Sequence, residues 1–76
     1  MKIEVLGPGC HNCMKLYENV QEALRDTGKD AEVIKVVDIN KITEYGIMLT
    51  PALAIDGEVK TVGKVLTIEE IKTLIQ

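Results

Sequence analysis

The 76 residues suffice for a single domain, residues 1–76, with a modest core. Nine basic against twelve acidic residues give a net charge of -3, and Tyr17 and Tyr45 are the only aromatics, so no nucleic-acid surface is expected. The apolar runs fall far short of the roughly 20 residues that span a bilayer, and Lys2 and Glu4 interrupt the N-terminal stretch, so neither a membrane partner nor a signal peptide is expected, and the expected location is cytoplasmic.

Residues 1–6 read as a strand, with β-branched Ile3 and Val5, and Gly7-Pro8-Gly9 breaks it. From residue 11 to 27 the hydrophobic period lengthens. Cys13, Leu16, Tyr17, Val20 and Leu24, with Ala23 alongside, form one stripe of an amphipathic helix, and Lys15, Glu18, Glu22, Arg25 and Asp26 take the other face. Gly28 stands where a left-handed cap would end it. Residues 31–37 are rich in β-formers and read as a second strand. Asp38 offers an N-cap for a short helix, with Ile39, Ile42 and Tyr45 inward and Gly46 after it.

Residues 51–55 read as a third strand, and Asp56-Gly57 is a two-residue hairpin signal into a fourth, 58–61. Thr67 and Glu70 have capping-box spacing, and Ile68, Ile71, Leu74 and Ile75 make the apolar face of a closing helix. The order is β-α-β-α-β-β-α. A parallel pair from the first unit and an antiparallel hairpin imply an α/β domain with a mixed four-stranded sheet flanked by helices.

The chemistry concentrates in Cys10-His11-Asn12-Cys13. A disulfide across so small a loop removes little denatured-state entropy, so stapling is a poor reason for the pair. In a reducing compartment two such cysteines point to redox or metal chemistry. The pair lies where a strand passes through a glycine turn into a helix. Unpaired N–H groups and the helix dipole there favour an anion, so a first-turn thiol should ionise easily. Residues i and i+3 of a helix lie about 5–6 Å apart at Cβ, which places two sulfurs within bonding reach. Cys13 heads the apolar stripe and should be buried, whereas Cys10 stands at the open end. That division assigns attack to Cys10 and resolution to Cys13. His11 is either a solvated turn residue or, when protonated, a further support for the Cys10 thiolate.

Metal carriage is the rival. Cys10, Cys13 and His11 give at most three ligands where structural zinc takes four, so no metal or other cofactor is expected. Copper-carrying ferredoxin-like domains also open their first helix with CxxC. They usually have Met where this chain has Pro8, and they end on a strand where this chain ends on a helix.

Beyond CxxC, the chain carries Tyr45-Gly46-Ile47, Pro51, Asp56-Gly57-Glu58-Val59 and Val62-Gly63 before the last helix. In combination these resemble the thioredoxin superfamily over nearly the whole length. The chain begins directly at the strand before CxxC, which resembles the short archaeal-type redox-active disulfide proteins and implies a truncated thioredoxin fold. The resemblance implies thiol–disulfide exchange with a protein or small-molecule disulfide, and a thioredoxin-reductase-like electron donor. It implies a cis Pro51 facing the disulfide, with the backbone of Thr50 pairing with an extended substrate.

The residue before CxxC, usually Trp in the family, is Gly9 here, which makes the docking surface more polar. His11 and Asn12 replace Gly-Pro between the cysteines, so both are expected to tune the redox potential. Val62-Gly63-Lys64 stands where glutaredoxins hold glutathione with Gly-Gly and Asp, which leaves a glutathione-dependent reaction as an alternative. Glu4, six residues before Cys10, occupies the place of a buried family carboxylate. It is either a proton acceptor for Cys13 or a solvated strand residue.

Overall fold

A computed structural model describes residues 1–75. The strand β1 (Lys2–Leu6) leads into the helix α1 (His11–Thr27), followed by β2 (Glu32–Val36), α2 (Ile39–Glu44), β3 (Ala52–Ile55), β4 (Glu58–Val62) and α3 (Ile68–Ile75). This is the expected element order. The sheet runs β2-β1-β3-β4, with β1 parallel to β2 and antiparallel to β3, and with β3 antiparallel to β4. The parallel pair sets Lys2 beside Glu32 and Leu6 beside Val36. A parallel neighbour needs a long crossover, which α1 supplies.

Local signals account for the element ends. The left-handed Gly28, at φ 67°, closes α1. Asp38 caps α2 by accepting from the Asn40 amide at 2.9 Å. Thr67 and Glu70 form the reciprocal box: the Glu70 amide donates to the Thr67 hydroxyl at 3.2 Å, and the Thr67 amide donates to the Glu70 carboxylate at 3.1 Å. Asp56 and Gly57, at φ 51° and 84°, make the tight hairpin turn. The Asp56 carboxylate also accepts from the Lys2 amide at 2.8 Å, which ties this turn to the start of β1.

Strand alternation divides the core in two. Ile3, Val5, Leu53 and Ile55 pack with Leu16, Val20 and Ala23 of α1 and Ile71 and Ile75 of α3. Leu6, Ala52 and Ala54 face the other way and pack with Val36, Ile42 and Ile47 on the α2 side. The sheet is therefore covered by α1 and α3 on one face and by α2 on the other.

Two inward assignments need correction. Ile39 is 61% exposed, because it opens the first turn of a six-residue helix and only Ile42 reaches the sheet. Leu74 is 37% exposed: Ile71 and Ile75, one turn apart, take the buried line of α3 and leave Leu74 to its flank. Tyr45 lies just past α2 as its C-cap and is half-buried.

Candidate active site

Residues 7–9, Gly-Pro-Gly, carry the chain from β1 to α1, and Gly9 turns with φ 94°, a conformation that a side chain would disfavour. Cys10 is the N-cap of α1, in extended backbone, and its carbonyl accepts from the Met14 amide at 3.0 Å. Its sulfur accepts from the Cys13 amide at 3.2 Å, so one of the unpaired donors of the helix start points at Cys10 Sγ. Cys10 and Cys13 are joined in a disulfide, with their Cα atoms 5.0 Å apart. Cys10 is exposed and Cys13 is only 5% exposed, the division expected from the apolar stripe. His11 and Asn12 lie between them on the surface.

Gly7 has a role beyond strand termination. A Cβ built there would overlap Cys13 Sγ and stand 3.1 Å from Cys13 Cβ and 3.7 Å from Thr50 Cβ. Gly7 is thus the floor on which Cys13 and Thr50 meet, and the absence of a side chain lets the sulfur sit against β1. Its amide donates to the Val36 carbonyl at 2.9 Å, extending the parallel pairing to the edge of the site. The sequence offered Gly7 only as punctuation, since close approach to a residue six positions later needs the folded turn.

The Thr50–Pro51 peptide bond is cis. Pro51 is buried and Thr50 exposed, and the Pro51 carbonyl accepts from the Gly63 amide at 2.8 Å. The segments around residues 7–10, 47–51 and 62–63 therefore meet at one end of the sheet. Pro8, Ile39, Ile42, Ile47, Met48 and Thr50 line a groove there. Met48 and Leu49 are 93% and 63% exposed. The run Ile47-Met48-Leu49, apolar yet outside any strand or helix, is the signal that could have marked this surface in advance.

Glu4 is buried, at 8% exposure, which excludes the solvated alternative. It shares its side of β1 with Leu6, and its carboxylate accepts from the Tyr45 hydroxyl at 2.5 Å. That hydrogen bond, followed by burial and the nearby Glu4 charge, holds the Tyr45 phenol above its usual pKa. Sequence reasoning did not pair these two residues, which are 41 positions apart.

A CxxC disulfide at the head of a helix, one sulfur open and one covered, on a mixed sheet ending in a hairpin and a helix, defines a small dithiol–disulfide exchange protein. Comparison with known proteins agrees. Residues 1–76 match the Thioredoxin domain family. The chain is 44% identical over 75 residues to a thioredoxin of Methanothermobacter thermautotrophicus, spanning 99% of this chain and 97% of that protein. It is 43% identical over 70 residues to a thioredoxin of Methanocaldococcus jannaschii, spanning 92% and 80% respectively. A probable thioredoxin of Methanothermobacter marburgensis is 42% identical over 67 residues, 83% of this chain and 79% of that one. The chain belongs to the thioredoxin family and is a thiol–disulfide oxidoreductase. The closing helix and the parallel β1–β2 pair are the arrangement that separated this reading from the copper-carrier one.

Proposed function

We propose that this domain reduces protein disulfides in the cytoplasm, and small-molecule disulfides of suitable shape, with Cys10 as the attacking sulfur and Cys13 as the resolving one. The observation that carries the division of roles is their unequal exposure within one disulfide-bonded pair. In the reduced protein, the Cys10 thiolate attacks one sulfur of the substrate disulfide. A Cys10–substrate bond forms, and the first substrate thiolate leaves and takes up a proton. Cys13, deprotonated in turn, attacks Cys10 Sγ; the Cys10–Cys13 bond forms and the second substrate thiol is released. The dithiol loses two electrons and the substrate gains two. A reductase of the thioredoxin-reductase class then returns those electrons, which makes the domain an electron carrier between donor and substrate.

The fold helps in four ways. The Cys13 amide and the start of α1 stabilise negative charge on Cys10 Sγ. Burial keeps Cys13 from solvent thiols while leaving it within reach of Cys10. Thr50 and Pro51 serve as the docking edge, with the backbone of Thr50 available to an extended substrate beside the apolar groove. His11 and Asn12 tune the potential from the exposed first turn of α1, between the sulfurs.

Insulin reduction driven by dithiothreitol tests this function. The parent protein is expected to accelerate interchain cleavage, and Cys10→Ser to abolish the acceleration. Undiminished catalysis by Cys10→Ser would refute the proposal.

A further inference from the structure

The one buried charged residue among those described is Glu4, and its partner is not a cation but the phenol of Tyr45. A buried carboxylate is a costly way to fill a core, and an apolar pair of similar volume often stabilises as well or better. The neighbours on that side, Leu6, Ala52, Ala54 and Ile42, are themselves apolar. What the hydrogen bond adds is direction, and its two ends lie on segments that matter to the site.

Glu4 stands on β1, from which the Gly7-Pro8-Gly9 turn leads to Cys10. Tyr45 ends α2, where its amide donates to the Ile42 carbonyl at 3.2 Å, and Gly46 follows at φ 76° as the chain turns away. The next residues, 47–50, lie in neither strand nor helix and carry Ile47, Met48 and Thr50 to the groove beside Pro8. The far end of that loop is held by the Pro51–Gly63 backbone bond, and its first residue, Ile47, is buried in the cluster of Leu6, Ala52 and Ala54. Just before the loop, the Tyr45 hydroxyl adds a directional side-chain hydrogen bond to β1.

We propose that the Glu4–Tyr45 hydrogen bond is a positioning device, fixing the loop that carries Met48 and Thr50 against the strand that leads into the Cys10 turn and so setting the groove in which a substrate segment docks. This rests on the docking role given to Thr50 and Pro51. Glu4 and Tyr45 act through the loop: their hydrogen bond is to each other, and the one given to a sulfur comes from the Cys13 amide. Loss of the bond therefore changes how well a protein substrate seats and leaves the intrinsic reactivity of Cys10 in place. A purely structural role would instead lower stability without separating these quantities.

The test measures KM and kcat for insulin, the iodoacetamide rate at Cys10, and circular dichroism at the assay temperature, in Tyr45→Phe, Glu4→Gln and Met48→Asp. Tyr45→Phe is expected to raise KM about tenfold, equivalent to ~1.4 kcal/mol of docking. Its kcat and alkylation rate should stay within about twofold of the parent, a difference below ~0.5 kcal/mol. Glu4→Gln keeps an acceptor for the phenol, and its KM should stay close to the parental value. Should Tyr45→Phe fail to fold, Glu4→Leu combined with Tyr45→Phe replaces the pair by apolar groups, and a raised KM is again expected. A parental KM in whichever of these two proteins is folded overturns the proposal. So does a Tyr45→Phe protein in which alkylation falls as much as docking. If Met48→Asp raises KM and Tyr45→Phe does not, the positioning role fails and the docking groove stands. If neither raises it, the docking groove fails and the positioning role with it.

Discussion

Gly7→Ala isolates the tightest contact in the site. The new methyl would overlap Cys13 Sγ and lie 3.1 Å from Cys13 Cβ, inside the roughly 3.5–4.0 Å of favourable carbon contact. The backbone at Gly7 does not have the positive φ that requires glycine, so the conflict is steric. In the disulfide form the Cys13 sulfur is pinned by its bond to Cys10 and cannot turn away. In the dithiol form it is free to rotate about Cα–Cβ and relieve much of the overlap. Overpacking a core position costs about 1–3 kcal/mol. If that cost falls mainly on the oxidised form, the reduction potential rises by roughly 20–65 mV, since 30 mV corresponds to about 1.4 kcal/mol for two electrons. Equilibration in dithiothreitol buffers, with alkylation trapping and mass analysis, reads the shift directly. The Gly7→Ala protein should be the stronger oxidant and should resolve mixed disulfides more slowly. A potential within about 10 mV of the parent, under ~0.5 kcal/mol, would show that Cys13 is not confined by β1 in the way the contact requires.

Two further outcomes follow from the closing helix. Thr67→Ala removes the hydroxyl that accepts from the Glu70 amide, and loss of such a cap should lower stability by about 1 kcal/mol in urea unfolding. The hydrogen bond from Lys64, and then the Thr67 amide, hold the Glu70 carboxyl below its usual pKa. A depressed carboxyl contributes stability above its unfolded value, about 4.3, and that contribution is lost as pH falls through the lower folded value. Glu70→Gln should therefore unfold at lower urea than the parent at neutral pH, and the two midpoints should converge below that range. A gap that persists undiminished at low pH would assign the effect to something other than the ionised carboxylate.

Most of this arrangement was legible in the residues, for identifiable reasons. The stripe from Cys13 to Leu24 spans about three turns, long enough for its period to place α1 (His11–Thr27) and to foretell which sulfur is covered. Turn chemistry at Gly28 and Asp56-Gly57 and the Thr67–Glu70 box fixed the ends, because those signals act within a few residues. The reading weakened where the segment was short or the contact remote. In α2 the six residues make less than two turns, too few for a period to tell Ile39 from Ile42. Leu74 sits three residues from Ile71 and beside Ile75, so spacing alone allows it inward; only the width of the sheet surface decides otherwise. Gly7 and the Glu4–Tyr45 bond were hidden for a different reason. Each depends on which segments the sheet brings together, and neither residue type announces its partner.

The assignment of roles to the two sulfurs has one decisive measurement: mixed-disulfide capture on single-cysteine variants, paired with iodoacetamide rates on the reduced parent near neutral pH. Cys10 stands exposed at the start of α1 and Cys13 is covered against Gly7. Cys10 should alkylate first and Cys13 slowly, Cys13→Ser should accumulate stable mixed disulfides through Cys10, and Cys10→Ser should be nearly inert toward the same substrate. Equal alkylation of both sulfurs, or exchange retained in Cys10→Ser, would contradict the mechanism.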